Sequence, residues 1–293
     1  MKDISEKDLG ENLKLVARRA DDHQTVVQVG DVRFGGTGFV VIAGPCAVES
    51  RDQVVDIARN VRAGGADMLR GGAYKPLTFP YRSSSMFELG EEGVRYLSEA
   101  GRLTGLPTVS EVTDVRRVAY MAEHIDMLQV GSRNMQNFSL LEEVARSGRP
   151  VLLKRHFGSS LRDWLGAAEY LLHHGNDQVV LCERGIVAPH THVPTSRFVV
   201  DLQVVLAAQE LSHLPIIVDP SHSTFRRRYV APVSRAALAI GAGGIILDVH
   251  PTPEQAAVDP LQALSYDAFG DLMDELRAIG SALNCHVHDV RES

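Results

Sequence analysis

Cysteine is scarce in this chain. Cys46, Cys182 and Cys285 are the only three, far apart and with no CxxC pair. That excludes a disulfide framework and a local metal-finger motif, and it suits a reducing compartment. Long apolar runs are also missing, so no stretch reaches the roughly 20 residues of a membrane-spanning helix. The start, MKDISEKDLGENLKL, is charged and lacks the apolar core of a secretory signal. The expectation is a cytoplasmic protein with no membrane partner. Positive charge is in the minority, with 30 Lys and Arg against 37 Asp and Glu and a net charge of −7. No global basic field invites nucleic acid, which is not expected as a partner. Any cationic site must be local. Repeats, linkers and low-complexity tracts are absent as well.

What is present is a recurrent short apolar run. Eight occur: Phe39–Ala43, Asp67–Arg70, Pro107–Glu111, Met127–Val130, Val151–Lys154, Gln178–Cys182, Pro215–Asp219 and Gly244–Asp248. Helix-period segments, such as SRDQVVDIARNVRAGG and SLRDWLGAAEYLLHHG, separate most of them. Continuous apolar strands alternating with helices imply parallel βαβ units, and eight that close on themselves make a (β/α)8 TIM barrel. A doubly wound open sheet is the competing architecture. Before the first run, TVVQVGDVRFGG alternates around a Gly-Asp turn and predicts a short N-terminal β-hairpin under the barrel bottom. The division expected is an extension over residues 1–38 and a catalytic barrel over 39–293, with no separate regulatory domain. Tyr266 to Ser293 reads as a helix with a short polar end.

The strand ends carry the chemistry. Cys46 follows the first run, Arg70 and Lys75 the second, and Glu111 closes the third. Gln129 and Arg133 follow the fourth, Lys154 and Arg155 the fifth, Glu183 and Arg184 the sixth. Asp219 and His222 follow the seventh, Asp248 and His250 the eighth. In a barrel these ends converge on one face, where active sites are built. Arg70, Lys75, Arg133, Lys154 and Arg184 would then surround one cavity suited to a phosphate and a carboxylate. The competing reading is a set of salt bridges with Glu111, Glu183 and Asp219. A thiolate, an imidazole and two carboxylates from Cys46, His222, Asp248 and Asp259 make a donor set for Mn, Fe, Co or Zn. Against it stands the ordinary role of a lone Cys as a small buried hydrophobe. The run Arg226, Arg227, Arg228 reads as a solvated helix start. His190 and His192, in HTHVPT, read as loop residues on the active face.

The segments IAGPCAVES, LRGGAYKP, QVGSRNMQN, LLKR, LCERG, LPIIVDPSHS, SRAALAIGAGGI and DVHPTPEQA occur in that order over nearly the whole chain. Together they resemble the type Iβ 3-deoxy-D-arabino-heptulosonate-7-phosphate (DAHP) synthases. Their superfamily includes 3-deoxy-D-manno-octulosonate-8-phosphate synthase. The resemblance implies condensation of phosphoenolpyruvate with an aldose phosphate, the first step of the shikimate pathway toward aromatic amino acids. It implies that Arg70 and Lys75 hold the carboxylate end of phosphoenolpyruvate, and that Arg133, Lys154 and Arg184 hold its phosphate. Cys46, His222, Asp248 and Asp259 would hold a divalent metal ion, and Lys75, Cys46 and His222 would serve catalysis. A homo-oligomer, dimer or tetramer, is implied too. Residues 1–38 are too few for a regulatory module, so little feedback inhibition by aromatic amino acids is expected.

The chain also departs from the family. Where KPRTS is usual it reads Lys75-Pro76-Leu77-Thr78-Phe79, which removes a cation for the acceptor's phosphate. Thr78, Arg82 and Arg197 are the acceptor-side candidates, with Arg82 able to replace the lost charge. Val187 stands where a second cation is common, and His156-Phe157 where Gly-Met is common. Asp248 stands where the metal ligand is typically Glu. Two further readings follow: a paralogue that takes another, unphosphorylated aldehyde, and a catalytically inert barrel. A Schiff-base aldolase, with Lys154 or Lys75 as its amine, is a third.

Overall fold

The computed structural model describes residues 11–75, 88–189 and 197–288. Leu77, Thr78, Arg82, His190 and His192 lie outside the described residues. Strands β1 (Val27–Val29) and β2 (Val32–Phe34) form an antiparallel hairpin. Eight parallel strands follow: β3 (Gly38–Gly44), β4 (Met68–Arg70), β5 (Thr108–Glu111), β6 (Met127–Val130), β7 (Val151–Lys154), β8 (Val179–Glu183), β9 (Ile216–Val218) and β10 (Gly244–Asp248). Each pairs with the next, and β10 pairs back onto β3, from Gly244 opposite Val40 to Asp248 opposite Gly44. That last pairing makes a closed barrel and excludes the open sheet.

The helices are α1 (Arg51–Gly64), α2 (Glu91–Thr104), α3 (Val118–His124), α4 (Phe138–Arg146), α5 (Leu161–His173), α6 (Leu202–Leu211), α7 (Pro220–Thr224), α8 (Arg227–Ala239) and α9 (Tyr266–Leu283). Their ends are written locally. Ser160 and Asp163 form a reciprocal capping box at the start of α5, which satisfies donors the helix leaves open. Ser50 caps α1, and Gly65 closes it in the left-handed conformation. Among the described residues, no helix is long and apolar enough to cross a membrane.

Two hydrophobic layers follow from the two-residue period of a strand. Val41, Leu69, Leu128, Leu153, Leu181, Val218 and Ile245 belong to the core shared with the helices. Val40, Ile42, Met68, Val109, Met127, Leu152, Val180, Cys182, Ile217 and Ile246 form a separate cluster inside the barrel. Val27, Val29 and Phe34 of the hairpin join that inner cluster, so the hairpin plugs the barrel bottom as expected. Phe34 is fully buried. The chain end differs from expectation. After α9, β11 (His286–Val287) pairs in parallel with Gly38 and Phe39, because β4 starts only opposite Ile42 and leaves that edge of β3 open.

The inner parity positions the site. Continued by two residues along each strand, the inward series Met68, Val109, Met127, Leu152, Cys182, Ile217 and Ile246 arrives at Arg70, Glu111, Gln129, Lys154, Arg184, Asp219 and Asp248. Seven polar side chains therefore crown a dry interior.

Candidate active site

Cys46, His222, Asp248 and Asp259 each present a donor atom, and these atoms lie within 4.8 Å of one another. Cys46 Sγ is 3.3 Å from Asp259 Oδ2 and 3.9 Å from His222 Nε2. His222 Nε2 is 3.7 Å from both Asp248 Oδ2 and Asp259 Oδ2. Ligands around an ion at about 2.0–2.3 Å stand roughly 3–4 Å apart, so the quartet fits a divalent cation. The chemistry fits too, since a soft thiolate, an imidazole and hard carboxylates suit Zn, Fe, Co or Mn rather than Ca. Asp248 reaches the cluster although it is one methylene shorter than Glu.

Neighbouring groups orient each donor. Asp219 accepts from the His222 main-chain N–H at 2.9 Å, and its carboxylate lies 2.9 Å from His222 Nδ1. The proton therefore sits on Nδ1, and the Nε2 lone pair faces the cluster. Burial pushes the His222 imidazole down to about 4, against the pull of Asp219, so it is neutral and able to ligate near neutral pH. Burial also raises the Cys46 thiol, opposed by Lys75. Lys75 Nζ donates to Cys46 O at 2.9 Å and approaches Cys46 Sγ at 3.1 Å. Gly72 makes this possible, because a Cβ there would lie 2.6 Å from Cys46 O and 2.9 Å from Lys75 Cδ.

The cations divide into paired and unpaired. Arg70 is ion-paired with Asp248, and Lys154 with Asp219, all four buried. On its own, burial would push the Asp219 carboxyl up; His222 and Lys154 outweigh it and hold it well below the usual range. Arg184 differs. Its Nη1 is buried without a hydrogen-bond partner. Burial lowers its proton affinity, and the nearby charges of Arg133 and Arg197 lower it further while Asp219 opposes them. A buried donor with nothing to donate to is costly, and here it sits among cations. Arg184 is the position best prepared for an incoming anion. The salt-bridge reading thus holds for Lys154 with Asp219 but not for Arg184.

The model of the DAHP synthetase I family matches residues 19–282. The chain belongs to the DAHP synthetase I family. A phospho-2-dehydro-3-deoxyheptonate aldolase of Thermotoga maritima is 43% identical over 275 residues, 94% of this chain and 80% of that protein. A crystal structure of a phospho-2-dehydro-3-deoxyheptonate aldolase (DAHP synthase) from Thermotoga maritima, 42% identical, superposes with a TM-score of 0.88, covering 94% of this chain and 78% of that one. A 2-dehydro-3-deoxyphosphooctonate aldolase of Syntrophotalea carbinolica is 32% identical, over 86% of this chain and 95% of that protein.

Within this family member several supporting residues escape a linear reading. Arg227 does start α8, but its side chain is half-buried: it reaches Glu254, Ala263 O at 2.7 Å and Pro260 O at 3.0 Å, tying down the loop that carries Asp259. Glu49 accepts from Ala257 N at 2.9 Å on the same loop. Gln262, fully buried, donates to Asp248 Oδ2. Arg155 and Glu183 have the outward parity of Leu153 and Leu181. They pair with each other, and Arg155 also with Asp201, behind the barrel wall rather than in its mouth. The two-residue strand period, counted from Leu153 and Leu181, is the sequence signal that could have shown this. Arg133 is exposed on the turn after β6.

Proposed function

We propose that the chain is a DAHP synthase. It joins phosphoenolpyruvate to erythrose 4-phosphate and releases inorganic phosphate, a carbon–carbon bond-forming transfer at the entry to aromatic amino acid biosynthesis. The observation that carries the reading is the buried, unpartnered Arg184 Nη1 beside a Cys-His-Asp-Asp donor set, in a chain of the DAHP synthetase I family. Two anion-binding needs and a metal need meet in one barrel mouth.

In this reading Arg184, Arg133 and Lys154 bind the phosphate of phosphoenolpyruvate, and Arg70 and Lys75 its carboxylate end. C3 of phosphoenolpyruvate attacks the aldehyde carbon, water adds at C2, and the C2–O bond to phosphate breaks. The cations neutralise charge as phosphate departs. Lys75, whose ammonium stands against Cys46, delivers a proton to the new alkoxide. Cys46, His222, Asp248 and Asp259 would hold a divalent ion, which when bound would supply Lewis-acid polarisation of the aldehyde. Arg197 serves the acceptor side together with Thr78 and Arg82. A homo-oligomer in the cytoplasm belongs to the same proposal.

A second reading, a paralogue taking an unphosphorylated aldehyde, has one observation in its favour: Val187, on the loop after β8, is an exposed apolar residue where a cation would serve a phosphate. Steady-state phosphate release with phosphoenolpyruvate, a divalent metal and either erythrose 4-phosphate or unphosphorylated aldoses decides between them. Rapid turnover with erythrose 4-phosphate alone supports the first. Turnover with unphosphorylated aldoses alone supports the second, and none with any aldehyde overturns both.

A further inference from the structure

Phe225 ends α7, the short helix that carries His222, at φ 56°. The left-handed conformation is strained for a bulky residue, and glycine is the ordinary choice there. Such strain persists only where the surroundings hold it. Here a guanidinium faces the ring: Arg197 lies 5.1 Å from the centroid of Phe225 and 5.1 Å from that of Phe198. Phe198 is shared, since Arg184 lies over it at 4.3 Å. Phe225, Arg197, Phe198 and Arg184 thus form one continuous column of rings and guanidinium groups.

The backbone is shaped to build this column. Ile186 and Val199 exchange two hydrogen bonds of 2.9 Å, which fold the segment after β8 back over its own start. Gly185, at φ 91°, lets the segment close, because a Cβ there would come within 2.8 Å of Phe198 Cβ. Two like-charged guanidinium groups against one ring repel each other. The π faces offset part of that repulsion and fix both groups in place without consuming their N–H donors. A carboxylate partner would fix them equally well but would compete with an anionic substrate.

We propose that Phe198 and Phe225 are positioning residues for substrate binding: Phe198 holds both Arg184, for phosphoenolpyruvate, and Arg197, for the acceptor, whereas Phe225 holds Arg197 alone. The inference rests on the reading given under Proposed function. It predicts a split between two variants. Phe198→Leu, apolar but without a π face, weakens phosphoenolpyruvate binding about tenfold and also raises KM for erythrose 4-phosphate. Phe198→Tyr restores both. Phe225→Gly, which suits the left-handed backbone, leaves phosphoenolpyruvate affinity unchanged but raises KM for erythrose 4-phosphate about tenfold.

The experiment uses the metal-loaded chain. Calorimetry with phosphoenolpyruvate and steady-state kinetics with erythrose 4-phosphate are run on each variant, with melting temperature and metal content as folding controls. Phe225→Asn, also tolerant of the left-handed region, replaces the glycine variant if that one unfolds. An unchanged phosphoenolpyruvate affinity in Phe198→Leu overturns the inference. So does a loss of phosphoenolpyruvate affinity in Phe225→Gly equal to its effect on the acceptor, or a failure of Phe198→Tyr to restore binding. If the unsubstituted chain itself neither binds phosphoenolpyruvate nor turns over erythrose 4-phosphate, the proposed function fails instead, and the two failures are told apart.

Discussion

Asp219→Asn changes one oxygen to nitrogen in the best-supported part of the site. Asp219 has no exposed surface. It is ion-paired with Lys154, and it holds His222 at both Nδ1 and the main-chain N–H. The substitution keeps the shape and removes the charge. Removing one partner of a buried ion pair costs about 3–5 kcal/mol, because the other charge is stranded. At about 2 °C per kcal/mol for a domain this large, the melting temperature falls by roughly 6–10 °C. The second consequence is at the donor cluster. His222 loses the carboxylate that fixes its tautomer, a loss that typically weakens metal binding about 10–100-fold. The two effects separate by construction. Adding Lys154→Met removes the stranded ammonium and recovers most of the stability, but it leaves His222 without its carboxylate, so metal affinity stays low. Thermal melts of metal-free protein, with chelator-competition titrations using Mn²⁺ or Co²⁺, are run on the unsubstituted chain, both single variants and the double variant. Unchanged metal affinity in Asp219→Asn refutes the orienting role. A double variant that melts no higher than Asp219→Asn refutes the buried-charge account.

Arg184→Met should raise the melting temperature, since it removes a buried donor that has no partner and stands near other cations. Yet it should weaken phosphoenolpyruvate binding about 10–150-fold, the worth of one charged hydrogen bond; calorimetry beside a thermal melt checks both signs. Phe34→Ala removes a fully buried ring from the barrel bottom and should cost about 3–5 kcal/mol by denaturant titration, with metal affinity unchanged because the site is at the other end. His213 bonds to Thr25 Oγ1 and to Leu15 O, each at 2.7 Å, and burial pushes its imidazole below the ordinary range. The folded chain therefore releases a proton that the unfolded chain keeps, so stability present above pH ~6.5 declines as pH falls through the window below it. Urea midpoints at neutral pH and near pH ~5.5 should show a steeper decline in the unsubstituted chain than in His213→Gln; equal slopes would count against the assignment.

Much of the site was legible because a barrel converts strand order into spatial order. Arg70, Lys154 and Asp248 each end an apolar run, and closure carries all three to one face whatever the details of packing. The quartet was legible for a different reason: its residues lie in the ordered run of segments that resembles a family, and spacing alone does not group Cys46 with Asp259. What escaped was held by long-range contacts. Arg227 looked like one of three solvated arginines, and Gln262 looked like nothing. Each is defined by a backbone or carboxylate partner that only folding brings near. Arg155 was written beside Lys154, but a single step along a strand turns a side chain to the opposite face.

The linear chain by itself determined the alternation of strands and helices and the chemical types at the strand ends, since hydrophobic periodicity and residue order are properties of neighbours along the backbone; closure of β10 onto β3 belonged to the tertiary structure. The tertiary structure alone decided how each of those charges is held. Arg70 and Lys154 are ion-paired with buried acids, whereas Arg184 stands over an aromatic ring, near two other cations and Asp219, with Nη1 unpartnered. Pairing of this kind depends on distances of a few ångströms between residues far apart in sequence, and no local pattern encodes them.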